Sequence, residues 1–87
     1  MAEVYVKGAT VAGDRVERLL VGLDLLPDRT IDRDTAIRWM KDGHSFVPMI
    51  DGRRAPALKL VEAGESFAIR TDTAPVDADL LPALPSA

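Results

Sequence analysis

The chain has 87 residues, 47% of them hydrophobic, and carries a formal net charge of −3. That length suits one domain able to bury only about 60–65% of the surface its unfolded chain exposes, so each large apolar side chain carries a sizeable share of the stability. Having no cysteine, the chain can form no disulfide, thiolate metal site or cysteine nucleophile; its acidic balance repels phosphate backbones; and no run of eighteen apolar residues is present to cross a bilayer.

The start of the chain, Met1 to Arg15, has no basic segment followed by an apolar run, which points to a soluble cytoplasmic protein without a cleaved leader. Glu3 to Thr10 alternates around Val4 and Val6, Gly13-Asp14 interrupts, and Arg15 to Leu23 resumes an apolar pattern. This predicts a β-hairpin. Val16, Leu19, Leu20 and Leu23 also fit helical spacing, but the alternation Glu17, Leu19, Val21, Leu23 and the lack of a cap favour a strand. Asp24 to Ile31 reads as a connector.

Asp32 has the chemistry of an N-cap, and Asp34 adds a carboxylate to the first helical turn. A helix is predicted over 33–42, with Ala36, Ile37, Trp39 and Met40 on one arc and Gly43 supplying the left-handed residue that ends it.

Ser45 to Thr71 holds three short apolar runs separated by two turn signals, Asp51-Gly52 and Glu62-Ala63-Gly64-Glu65. The expectation is a three-stranded antiparallel meander. Pro48 and Pro56 lie within it, and neither can donate to a ladder. A plain two-residue turn at Asp51-Gly52 would put Pro48 in a hydrogen-bonded pair with Ala55. A three-residue loop, Ile50-Asp51-Gly52 with Gly52 as a G1 bulge, spares both prolines and places Met49 opposite Arg53. The bulged hairpin is therefore predicted, with the strand Phe46 to Met49 at a sheet edge. Leu58, Leu60, Phe67 and Ile69, with Leu19, Val21 and the helix arc, form the predicted core.

These elements give an α+β fold of order ββαβββ, an antiparallel sheet of about five strands with one helix on a face. The domain spans 1–72, and 73–87 is a tail whose Leu80, Leu81 and Leu84 are too apolar to be free, so they are expected to dock.

The motif Asp32-x-x-Thr35-Ala36-Ile37-x-Trp39-Met40-x-x-Gly43, then Ile69-Arg70-Thr71-Asp72 and the closing Asp79-Leu80-Leu81 with Leu84-Pro85, resemble a small bacterial family of uncharacterised proteins. The resemblance covers most of the chain and its motifs are mainly structural. It implies the ββαβββ order and brings no activity, cofactor or catalytic residue. The chain departs from the pattern by one extra residue in its Leu-Leu-Pro-Ala-Leu-Pro closure and by a longer connector before the helix.

Residues able to do chemistry have ordinary structural placements. His44, the single histidine, follows the helix-ending Gly43; acting as a base would require Asp42, Ser45 or Asp51 to orient it in a pocket. The fourteen carboxylates are scattered among turns and caps, Asp28, Asp32 and Asp34 lack the glycine and terminal glutamate of a calcium loop, and phosphate-cradling glycine motifs are absent. No catalytic, metal or cofactor residue is predicted. The leading expectation is a non-enzymatic module for protein contact or self-association, using Val47 and Met49 at the edge and Leu80, Leu81 and Leu84 in the tail. The alternative is binding of nucleic acid or a small anion by Arg53, Arg54, Lys59 and Arg70; protection of sheet edges by charge is the simpler account of these four, and nucleic acid is disfavoured by net charge.

Overall fold

The structure, a computed structural model, describes residues 2–86. Met1 and Ala87, the outer ends of the predicted domain and tail, lie outside the described residues. The elements run β1 (Glu3–Ala12), β2 (Arg15–Gly22), β3 (Arg29–Asp32), α1 (Arg33–Lys41), β4 (Ser45–Ile50), β5 (Arg53–Arg54), β6 (Lys59–Ala63) and β7 (Ser66–Arg70). The fold is α+β with one helix, as expected, but the strands divide into a five-stranded sheet of order β3-β2-β1-β4-β5 and a separate pair β6-β7.

The first hairpin forms where the alternation puts it. Val4, Val6, Val16, Leu19 and Val21 are buried, which settles the strand reading of the segment with helical spacing. Gly13 turns the chain at φ 61°, and Ala12 pairs with Arg15. Irregularities between Val6 and Gly8 and between Thr10 and Val11 shift the register. The predicted connector contains a strand: Arg29 to Asp32 pairs antiparallel with β2 from Val21 to Arg18. Only Ile31 of its four side chains is buried, too little apolar pattern to announce a strand.

Asp32 caps the helix, its carboxylate accepting the Thr35 N–H at 2.8 Å, and Gly43 at φ 97° ends it. Ala36 is fully buried, with Ile37, Trp39 and Met40 packed around the core. Helix α1 packs on β2, β3 and β6. It returns the chain to the far side of β1, where β4 pairs in parallel, Glu3 to Val6 against Ser45 to Pro48. The sheet is therefore mixed, not antiparallel. The strand Phe46 to Met49 is interior rather than an edge, because a helical crossover naturally delivers a parallel neighbour.

The predicted bulged hairpin is also corrected. Asp51 and Gly52, at φ 51° and 76°, make the two-residue turn that Asp-Gly favours, pairing Ile50 with Arg53 and Met49 with Arg54. Pro48 does fall opposite Ala55, and the Ala55 N–H donates to the Pro48 carbonyl at 2.8 Å. Pro48 has no N–H to return, so β5 stops after two residues. The next bond along β4, Leu58 N–H to Phe46 carbonyl at 2.8 Å, is one residue out of step, and Pro56 occupies the slip outside any strand. The meander breaks there, and β6-β7 forms its own hairpin, with Ala63 paired to Ser66 around Gly64 at φ 66°.

Two sheets that share no strand ladder need another connection, and the C-terminal segment provides it. The Asp79 side chain is 1% exposed. Its Oδ2 accepts the Val16 N–H of β2 at 2.8 Å and Arg33 Nε at 2.9 Å. Its Oδ1 accepts the Ile69 N–H of β7 at 2.9 Å and Arg33 Nη2 at 3.0 Å. Arg33, the first residue of α1, also donates to the Phe67 carbonyl at 2.7 Å. Beside this carboxylate the Asp79 N–H donates to the Asp14 carbonyl, the Leu80 N–H to Ile69, and Pro85 accepts from Ala9. Leu81 and Leu84 pack on the core.

Burial raises the pKa of Asp79, but the Arg33 guanidinium and the N–H groups of Val16 and Ile69 outweigh it and hold the carboxyl below its ordinary 3.8. A depressed folded pKa means stability that is present above the unfolded value and is lost as pH falls through the folded one. Asp79→Ala leaves a guanidinium and two amides without their acceptor and should cost about 3 kcal/mol or more, roughly 12 °C in melting temperature. Asp79→Asn should also flatten the decline of stability below pH 3.8. Thermal and urea unfolding measured across pH check both expectations; a variant as stable as the parent at neutral pH contradicts them.

Candidate interaction surface

The loop from β2 to β3 turns at Leu23, with the Leu26 N–H donating to the Leu23 carbonyl at 3.2 Å. Leu25 occupies the left-handed region at φ 65°, which costs a side chain with a Cβ about 1–2 kcal/mol. It is 104% exposed, and Leu26 is 60% exposed. Two adjacent leucines therefore face water in a loop one of whose residues is conformationally strained.

Beneath the loop, Ala2, Val4, Leu23, Trp39 and His44 line a cleft of about 200 Å³, and a larger open depression against Glu3, Asp24 and Leu26 adjoins it through Ala2 and Leu23. Trp39 forms the apolar wall, with Phe46 tilted beside it and the His44 ring edge-on, each at 6.3 Å between centroids. The Arg29 guanidinium lies 5.7 Å over the indole. His44 Nδ1 accepts the Ala2 N–H at 3.1 Å. Neither Asp42 nor Asp51 lines the cleft with His44. No group of three or more potential metal ligands occurs among the described residues, and no helix among them is long and apolar enough to cross a membrane.

The residues singled out from sequence do not converge. Val47 is 3% exposed and pairs with Tyr5 in the parallel ladder, so it offers no contact edge; Met49 is half-buried opposite Arg54. Leu81 and Leu84 pack inward, leaving Leu80 as the exposed leucine of that group. Arg53 is exposed at the Asp51-Gly52 turn. Arg54 is bonded to the Glu3 carboxylate and lies over the Tyr5 ring. Lys59 donates to the Thr71 carbonyl at 3.2 Å. Arg70 is 8% exposed and holds Asp72 at 2.6 Å and the Ala78 carbonyl at 2.7 Å. Lys59 and Arg70 face each other across β6-β7 while Arg53 and Arg54 belong to the other sheet, and Arg54 and Arg70 are each taken up by a carboxylate of the chain itself. Hydrogen bonding to Arg70 lowers the pKa of Asp72, as Arg54 lowers that of Glu3.

Comparison with protein-family models, with curated proteins and with solved structures finds no match.

Arg70 therefore acts as a tie within the chain. Arg70→Ala should lower the melting temperature clearly more than Arg54→Ala, whose exposed pair contributes little and is screened by salt. Differential scanning fluorimetry at low and high salt checks this; equal, small effects of both substitutions contradict it.

Proposed function

We propose that this chain is a non-enzymatic protein-interaction module whose contact surface is the Leu25-Leu26 loop with the Trp39 cleft below it. The observation that carries this reading is Leu25, wholly exposed and held in the left-handed region. A leucine gains nothing within its own chain from that position, whereas covering it on a partner releases roughly 1.5–3 kcal/mol of hydrophobic free energy. Strained, exposed apolar residues on loops are typical of recognition surfaces. The partner that suits it is a protein presenting an apolar recess. In this reading the chain is a soluble cytoplasmic protein of a bacterium, consistent with its lack of cysteine. Anion binding by Arg53, Arg54, Lys59 and Arg70 has weaker support, because Arg54 and Arg70 already hold carboxylates of the chain itself.

Leu25→Asn separates folding from binding, since asparagine tolerates the left-handed region. Its stability should equal or exceed the parent's by up to about 1 kcal/mol. Partners retained by the parent chain in quantitative affinity capture should be lost from Leu25→Asn and from Leu26→Ser. An unchanged partner profile with both substitutions contradicts the reading.

A further inference from the structure

We propose that the groove bounded by β2, β7 and the start of α1 is a peptide-docking site, and that it accepts the C-terminal segment of a second copy of this chain as well as its own. Residues 77–86 contain no helix or strand, and their attachments are those of an extended ligand. One carboxylate, Asp79, is clasped by a guanidinium and two backbone N–H groups. Three main-chain bonds fix the segment's direction, and Leu81 and Leu84 fill apolar positions on the core. This is how sheet edges bind extended peptides.

The groove side needs an occupant. The Ile69 N–H and carbonyl lie on the open edge of β7, the Val16 N–H at the start of β2, and the Ala9 N–H where β1 has passed beyond its ladder with β4. Backbone groups of this kind require partners.

Charge complementarity selects the occupant. The segment carries Asp77 and Asp79, and no lysine or arginine follows Arg70. The groove presents Arg33, and Arg15, which is hydrogen-bonded to Asp77 and has Nη1 3.7 Å from Asp79. A second copy brings the same segment, so every contact is reproduced when two chains exchange it. The link between β7 and the segment suits such an exchange: Thr73 to Val76 has no regular structure, includes Pro75, and leaves Val76 exposed. The seated segment also leaves a depression of about 360 Å³ beside it, lined in part by Val11 and Leu80, both exposed apolar residues.

The test uses full-length chains and a synthetic peptide of residues 76–86. Titrated into Asp79→Asn, whose own segment has lost its anchor, the peptide should raise the melting temperature saturably by roughly 5 °C or more; a peptide carrying Asp79→Ala should not. Full-length Leu84→Ser serves as a second recipient. In a second arm, Asp79→Asn is mixed with Arg33→Ala, one having an intact groove and the other an intact segment. The mixture should yield a heterodimer by native mass spectrometry, which neither variant forms alone. Failure of the peptide to stabilise either recipient at millimolar concentration overturns the docking site, and peptide rescue without heterodimer overturns the second-copy partner. Leu25→Asn should leave both arms unchanged, so this inference and the proposed loop surface stand or fall separately.

Discussion

Asp79 is the point at which the parts of this molecule meet. Its two oxygens take four donors from three elements: the Val16 amide of β2, the Ile69 amide of β7, and two nitrogens of Arg33 at the head of α1. A buried carboxylate is costly to desolvate, and the cost is offset only when every lone pair is used and the countercharge is close. The fork of Arg33 and the two amides meet that requirement. The same bonds satisfy edge groups that both sheets would otherwise leave bare.

The need for such a tie follows from Pro48. An Asp-Gly turn fixes the register of β4 against β5, and that register sets the residue without an N–H where a donor is called for. The ladder ends, Pro56 sits in the slip, and the following residues form a hairpin of their own instead of extending the main sheet. The hairpin keeps its place through side chains: Leu58 and Ile69 in the core, Lys41 over the Phe67 ring at 4.1 Å, and the Asp79 cluster. Proline thus shapes the topology by where a strand stops.

Local chemistry was legible in the sequence, and its long-range consequences were not. The capped helix, its glycine terminus, the first hairpin and the 66–70 strand follow from periodicity and turn residues within short windows. The parallel pairing of β4 with β1 depends on which edge the helical crossover reaches, which no local pattern encodes. Residues 29–32 carry a single buried side chain, too weak an alternation to read. A bulged turn would keep the ladder intact around Pro48, whereas the chain satisfies its Asp-Gly turn and gives up the ladder. Asp79 was hidden most deeply: it lies in a stretch of acidic residues without a local countercharge, and its partner Arg33 is on the other side of the helix-to-hairpin chain path. Leu25 and Leu26 could be noticed as apolar residues before Pro27, but their exposure appears only once β3 pins the loop on its far side. Of the contact residues expected from sequence, Val47 and Met49 form a contact edge only if the sheet ends at β4, and β5 pairs beyond it.

The fold thus separates two kinds of apolar residue. Most of those in β1, β2, β4 and α1 are spent on the core, as is Leu23 where the β2–β3 loop begins, whereas Leu25 and Leu26 further along that loop are exposed, so stability and the proposed recognition rest on different residues. The most direct measurement of the central tie is native-state hydrogen exchange at the amides of Val16 and Ile69. Since both donate to the buried Asp79 carboxylate, they should exchange only on global unfolding, with protection equal to that of the β1–β2 core. Exchange at either amide as fast as in the exposed 24–28 loop would show that the two sheets are not joined through Asp79.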